Sequence, residues 1–300
     1  MSGALHAVLK LLYGRYVPEP VRNSLRLHLS LLQRDHEPRA APAPRGRRVV
    51  ALAPHMDDEV FGCGGTLALA VEAQSRVSVV YLTDGSKGYR KETLAGRTAD
   101  EIAAAEAALT RTRKAEAARA GAILGLREPV FLDLPDGALA ATPEAIAGLA
   151  GALRALEPDV VFLPFFTDIH HDHWLTNVVF VEAARAAGLR DTTECWGYEV
   201  WIPVPATTVV DVTPVLDRKR RAMAEFASQQ LEYDYRRAIE ALNVYRSLFS
   251  GHGAGAAEAF HVTDLALYRR LYRTAVIGRT RRPSARRPNG DGPGPDRLSA

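Results

Sequence analysis

Short apolar runs alternate with amphipathic stretches along most of this 300-residue chain. Residues 48–53, 77–83, 129–133 and 159–165 are β-branched, aliphatic and aromatic runs that end in polar turns, and each reads as a strand buried on both faces. Between and after them, helices are expected over 64–74, 98–122, 143–156 and 173–187. Such βαβ alternation predicts the α/β class, with a mostly parallel sheet covered by helices on both faces. The pattern changes beyond Gly188. Residues 196–201 and 207–212 predict antiparallel strands at a sheet edge, followed by helices over 214–228 and 235–249.

The two ends do not share this pattern. Residues 4–13 (Leu5, Val8, Leu9, Leu12) and 21–34 (Val21, Leu25, Leu29, Leu32) have helical spacing, with Pro18 and Pro20 between them, and a Pro-, Ala- and Arg-rich linker covers 38–47. The expected organisation is an amphipathic extension over 1–47, one domain over 48–278, and a basic tail over 279–300 whose composition predicts disorder. Charge follows the same division. The chain carries +3 overall, but the two ends hold +5 and +4, so the body stands at −6. A nucleic-acid-binding fold would carry basic charge on the body, and that class loses support.

Lys10, Arg22, Arg26 and Arg34 lie on or near the polar faces of the N-terminal pair, which suits peripheral contact with an anionic membrane surface or a partner; packing on the parent domain is the simpler alternative. No apolar run approaches the roughly 20 residues that cross a bilayer, and the N-terminus lacks a convincing signal-peptide pattern. Cys63 and Cys195 make no disulfide framework, so a reducing compartment is expected. The protein is therefore expected to be cytoplasmic, with a peripheral place at the inner membrane surface if the helices bind lipid.

Two strand ends concentrate chemistry. Ala53-Pro54-His55-Met56-Asp57-Asp58-Glu59 puts a histidine and three acids in five residues before Gly62-Cys63-Gly64-Gly65, and His170-His171-Asp172-His173 follows the strand at 159–165. In open parallel sheets, ligands bind at such carboxyl ends. A catalytic zinc takes three protein ligands from His, Asp or Glu and leaves one position open. His55 and Asp58 are close enough on a turn to grip one ion, and a histidine of the second corner closes the set if the two strands are neighbours. Asp57 is then left to take a proton from water, a division of labour that adjacent acids permit. His170, held protonated by Asp172, fits the role of oxyanion donor. Cys63 reads as a small packed side chain.

These residues carry a resemblance. Pro54-His55-Met56-Asp57-Asp58-Glu59 with Gly62-x-Gly64-Gly65, Thr83-Asp84-Gly85, Arg113-x-x-Glu116, Leu124-Gly125, Leu134-Pro135-Asp136-Gly137 and His170-x-Asp172-His173 resembles the LmbE/PIG-L family of zinc-dependent N-deacetylases. The likeness continues through Tyr198-Glu199-x-Trp201, Lys219, Ser228-Gln229 and Glu258-Ala259-Phe260, and so spans about residues 48–262. It implies a Rossmann-like sheet and hydrolysis of the N-acetyl group of an amino sugar, usually N-acetylglucosamine within a larger conjugate. By the family pattern His55, Asp58 and His173 would bind Zn2+, Asp57 would be the general base, and His170 would stabilise the oxyanion with Asp172 orienting it.

Three positions depart from that pattern: Met56 and His171 stand where proline is common, and Asp168 where some members have tyrosine. His171 is expected to point away from the metal. Asp84, with Lys87 and Arg90, is a candidate for sugar hydroxyls, set against a capped turn. Arg113 and Glu116 read equally as a buried pair or as support for the metal loop. Trp196 and Trp201 are candidates for sugar stacking, set against core packing. The expected partner is a small-molecule or lipid-linked amino sugar; other divalent first-row metals suit the same ligands. Cleavage of a larger amide, such as a sugar-thiol conjugate, and an inactive sugar-binding protein are the alternatives.

Overall fold

The computed structural model describes residues 16, 17, 21, 37–89, 91–229, 234–251 and 253–280. The two expected N-terminal helices, Arg90 and the tail beyond Thr280 lie outside the described residues. Among the described residues eight strands form one sheet: β1 (Arg39–Ala40), β2 (Arg48–Ala53), β3 (Arg76–Thr83), β4 (Val130–Leu134), β5 (Val160–Pro164), β6 (Glu194–Tyr198), β7 (Thr208–Asp211) and β8 (Ala257–Asp264). Their spatial order is β1-β7-β8-β6-β5-β2-β3-β4. All neighbours are parallel except β8, which runs antiparallel to both β6 and β7.

Order and direction place the site. From β2 the chain adds β3 and β4 on one side, then crosses to add β5 and β6 on the other, so β2 and β5 are neighbours with opposed onward connections. A crevice opens at the carboxyl ends of strands where the winding reverses in this way.

The helices that cover the sheet are α1 (Asp58–Glu72), α2 (Ala99–Leu124), α3 (Pro143–Leu156), α4 (His171–Ala186), α5 (Leu216–Ala224), α6 (Tyr235–Arg246) and α7 (Leu265–Thr280). On β2, Val49, Ala51 and Ala53 join a core with residues of α1, α2 and α5. Val50 and Leu52 join the second core, with residues of α3, α4 and α7. This is the two-residue period of a strand buried on both faces. No helix among the described residues is long and apolar enough to cross a membrane.

Helix α1 starts six residues earlier than its apolar pattern predicts, because Asp58 and Glu59 occupy its first turn, where the helix dipole favours acids. Its glycines permit close packing. A Cβ on Gly62 would lie 2.4 Å from the Tyr198 ring of β6, and one on Gly65 would lie 2.7 Å from Val212. Strand β8 and helix α7 are absent from the expectation. Glu258 and His261 make β8 look polar, yet both are buried. Glu258 pairs with Lys219 at 2.7 Å, both fully buried, and also accepts the Gly65 and Thr66 amides at 2.8 and 2.7 Å. His261 is 2.9 Å from the Pro205 carbonyl. The expected linker contributes β1, which pairs with β7.

Candidate metal centre and active site

The turn after β2 and the loop leading into α4 after β5 bring the two motif histidines together. Asp58 Oδ2 lies 3.2 Å from His55 Nδ1 and 3.2 Å from His173 Nε2. Ligand atoms about 2.0–2.1 Å from a tetrahedral ion are themselves roughly 3.3 Å apart, so this spacing fits a shared cation. His173 Nε2 is fully buried and makes no properly directed hydrogen bond. That orphaned nitrogen is the strongest local sign of a cation site. His170 also belongs to the cluster: one nitrogen from each of His55, His170 and His173 lies within 4.8 Å of the others.

His55 and His173 each have a carboxylate behind the ring. His173 Nδ1 is 3.2 Å from Asp168 Oδ2, and His55 Nε2 is 3.1 Å from Asp136 Oδ1 and 3.2 Å from Asp172 Oδ2. A carboxylate at one ring nitrogen keeps the proton there and presents the other lone pair to a metal. These groups also dominate the electrostatics. Burial would lower both imidazoles, but Asp136, Asp172 and Asp58 hold His55 well above its ordinary value, and Asp58 and Asp168 push His173 up to about 9. Burial would raise Asp58, yet His173 and His55 hold it well below the usual carboxylate range.

Asp57 caps α1 with φ 153° and ψ −29°, a conformation that ordinary residues avoid and that a functional site can retain. Its side chain lines the adjoining cavity. Burial pushes its carboxyl up to about 7, against the pull of Arg113. Arg113 is buried, lies 3.5 Å from Asp57 Oδ1, and donates at 3.3 Å to the Met56 and Gly85 carbonyls. It thereby ties α2 to both the β2 and β3 corners. Met56 is fully buried against the positive-φ Gly85, where a Cβ would come within 2.5 Å of its terminal methyl.

Other candidates part company here. The Asp172 carboxylate faces His55 and the amides of Gly137 and Leu139, at 2.7 and 3.1 Å, rather than His170. Only the Asp172 backbone N–H reaches His170, at Nδ1 over 3.3 Å. Burial, then His55 and His173, lowers the His170 pKa, which favours a neutral ring in place of the expected protonated one. With Nδ1 accepting, the proton of that ring sits on Nε2. Asp84 accepts the Ser86 amide at 2.9 Å and is not among the residues lining the cavity, so the capped turn prevails over sugar binding. His171 is exposed. Trp196 is buried against Phe162 and Phe260, whereas Trp201 lines the cavity. Glu116 accepts the Ser228 amide and hydroxyl at 3.0 and 2.6 Å, fixing that loop to α2.

Sequence reasoning passed over Asp136 and Asp168 as partners of the histidines. Both stood in sight, Asp136 in Leu134-Pro135-Asp136-Gly137 and Asp168 at a departure from the family pattern. Only the meeting of β4, β2 and β5 ends gives them their histidines.

A mostly parallel α/β sheet with a His/Asp cluster and a cavity at its carboxyl edge defines the class: a fold with a candidate metal-assisted reaction centre. The PIG-L profile, described as GlcNAc-PI de-N-acetylase, matches residues 50–184, and the chain belongs to this family. It is 27% identical over 226 residues to diacetylchitobiose deacetylase of Thermococcus kodakarensis, covering 69% of this chain and 80% of that protein. It is 26% identical over 208 residues to 4-oxalmesaconate hydratase of Pseudomonas putida, covering 63% and 76%. The crystal structure of conserved protein TT1542 from Thermus thermophilus superposes with a TM-score of 0.58 and 31% identity, covering 71% of this chain and 93% of that one.

Proposed function

We propose that the protein is a zinc-dependent hydrolase that removes the N-acetyl group from an N-acetylated amino sugar, of the N-acetylglucosamine type, within a larger conjugate. The observation that carries this reading is the division between adjacent acids. Both line the cavity, but Asp58 lies 3.2 Å from each of the two histidines, while Asp57 lies 3.5 Å from Arg113 and has its pKa raised to about 7. A family relative that deacetylates diacetylchitobiose supports the substrate class.

In this reading His55, Asp58 and His173 hold the ion, and two imidazoles with one carboxylate are a donor set suited to zinc with an open position. A bound zinc ion supplies Lewis acidity and makes water easier to deprotonate. Asp57 receives the proton of the attacking water, and its raised pKa matches that task near neutrality. Arg113 keeps the Asp57 loop in place. His170 donates from Nε2 to the oxygen that becomes negative as the amide carbon turns tetrahedral, a contribution of roughly 2.7–4 kcal/mol for such donors. Asp172 and Asp136 orient His55, and Asp168 orients His173.

The test is acetate release from a panel of N-acetylglucosamine conjugates, using chelated protein with and without added zinc. Zinc-dependent acetate from any member is the expected result. No acetate from a protein carrying one zinc per chain would overturn the reading and turn attention to larger amides, to sugar binding without turnover, or to water addition to an unsaturated acid.

A further inference from the structure

The cavity beside Asp57 and His170 has a volume of about 870 Å³, near the top of the roughly 300–1,000 Å³ range of small-molecule sites. Its walls differ in chemistry. Arg113, Asp136 and Lys87 line the part contributed by the β3 and β4 ends and α2. Phe61, Leu109, Val200, Trp201, Tyr235 and Ile239 supply apolar surface. Ser228 and Gln229 also line the cavity, and a sugar face can stack on Trp201, but against Phe61, Leu109, Val200 and Ile239 sugar hydroxyls would lose water without gaining hydrogen bonds, which is unfavourable.

The apolar wall is built rather than incidental. Tyr235, Ala238 and Ile239 are at i, i+3 and i+4 of α6 and therefore share one face. Farther along α6, Arg246 makes hydrogen bonds of 3.0 and 2.6 Å to Glu199 and one of 3.0 Å to the Val204 carbonyl. Asn243 accepts from the buried Lys219 at 2.9 Å. These bonds fix the helix against the sheet. Trp201 then joins the wall to the reaction centre: its ring lies 6.1 Å from His170 at 15° and meets Tyr235 edge-on at 5.5 Å. At 45% exposure, Trp201 retains apolar surface for a ligand to cover.

We infer that the substrate carries an alkyl or aryl substituent on its amino sugar, seated against Trp201, Tyr235 and Ile239. This rests on the deacetylase reading for the reaction but not for the wall. The substituent is either the group on the anomeric oxygen or the acyl chain on nitrogen. Both present the same apolar chemistry to the wall.

Three compounds separate the sources: the methyl and hexyl glycosides of 2-acetamido-2-deoxyglucose, and the methyl glycoside of 2-hexanamido-2-deoxyglucose. Carboxylate release by the zinc-loaded enzyme gives kcat/KM, and calorimetry with zinc-loaded Asp57→Asn gives binding without turnover. Each buried methylene is worth roughly fourfold, so one hexyl compound should exceed the methyl acetamide by at least about tenfold in both readouts. The arm that gains locates the substituent. Ile239→Asn should bring that ratio toward one, and Ala238→Asp, at an exposed helix position, should do the same without a core substitution. A ratio is unaffected by a uniform loss of active protein. Equal kcat/KM and equal binding for all three compounds would overturn the inference, as would a ratio unchanged in both variants. No carboxylate from any compound, with tenfold tighter binding of a hexyl one, would remove the deacetylase reading and leave the wall standing.

Discussion

Asp168→Asn tests whether His173 is a metal ligand set by its neighbour. Asp168 is buried, and its Oδ2 is 3.2 Å from His173 Nδ1, while Oδ1 accepts the His170 amide at 2.9 Å. Oδ2 also lies 3.4 Å from the Trp201 amide. Asparagine keeps the size and one acceptor. If that oxygen stays with the His170 amide, the new NH2 faces His173 Nδ1, which must then accept. The ring proton moves to Nε2, the nitrogen that faces Asp58. A ligating lone pair is lost in that tautomer, and restoring it breaks the new hydrogen bond. Carboxylates behind ligating histidines are worth roughly 10–100-fold in metal affinity, or about 1.4–2.7 kcal/mol.

The assay is zinc competition against a chromophoric chelator at neutral pH, with urea unfolding of the chelated proteins in parallel. The expected result is a loss of affinity of one to two decades with a smaller change in metal-free stability. Affinity unchanged from the parent protein would refute the tautomer argument and remove Asp168 from the site. An equal loss of stability in the chelated protein would make Asp168 a structural residue instead.

Further perturbations read other parts of the site. Asp57→Asn should keep zinc stoichiometry and fold while lowering kcat by about 10²–10⁴; full turnover would remove Asp57 as the base. Zinc binding must displace the protons held by His173, whose pKa is raised to about 9, and by His55, which is held well above its ordinary value, so affinity should climb across the neutral range by at least about tenfold per unit. Competition titrations from about pH 6 to 8 that gave a flat affinity would exclude both protons. Glu258→Gln leaves Lys219 buried without its counter-charge and should cost about 3–5 kcal/mol in urea unfolding, with Lys219→Met/Glu258→Gln recovering only part of it, because the Gly65 and Thr66 amides keep one acceptor between them and Asn243 loses its donor. A loss under about 1 kcal/mol in the single variant would show that water reaches the pair.

Strands β2 to β5 were legible because apolar residues dominate each run, and their predicted bounds differ by about a residue, although β4, with Asp133 exposed, is a half-buried edge strand and not one covered on both faces. Strand β8 was not, since its acid and its histidine are neutralised by partners distant in sequence, Lys219 and the Pro205 carbonyl. The same contrast governs the site. His55 and Asp58 share one turn and could be paired by spacing alone. That His173 joins them follows from the β2–β5 pairing, which no local pattern encodes. Asp172 shows the converse error. Sequence proximity suggested His170 as its partner, but as the second residue of α4 it turns its carboxylate to His55 and the Gly137 loop.

The site's economy lies in how four buried acids are distributed. Asp58 stands between two imidazoles; Asp136 and Asp172 stand behind one, and Asp168 behind the other. Buried carboxylates repel one another unless positive charge lies among them; the raised pKa values of His55 and His173 supply it as imidazolium, and a metal ion would take the place of those protons. Asp57 pairs instead with Arg113, at 3.5 Å. A single backbone distortion at the start of α1 separates those fates on one cavity: Asp58 enters the helix between the histidines, and Asp57, at positive φ, is left beside Arg113. Replacing Asp57 by glycine would relax that backbone, whereas asparagine makes the same backbone demand as aspartate and keeps the side-chain shape. Asparagine therefore isolates the proton-transfer role from the conformation that displays it.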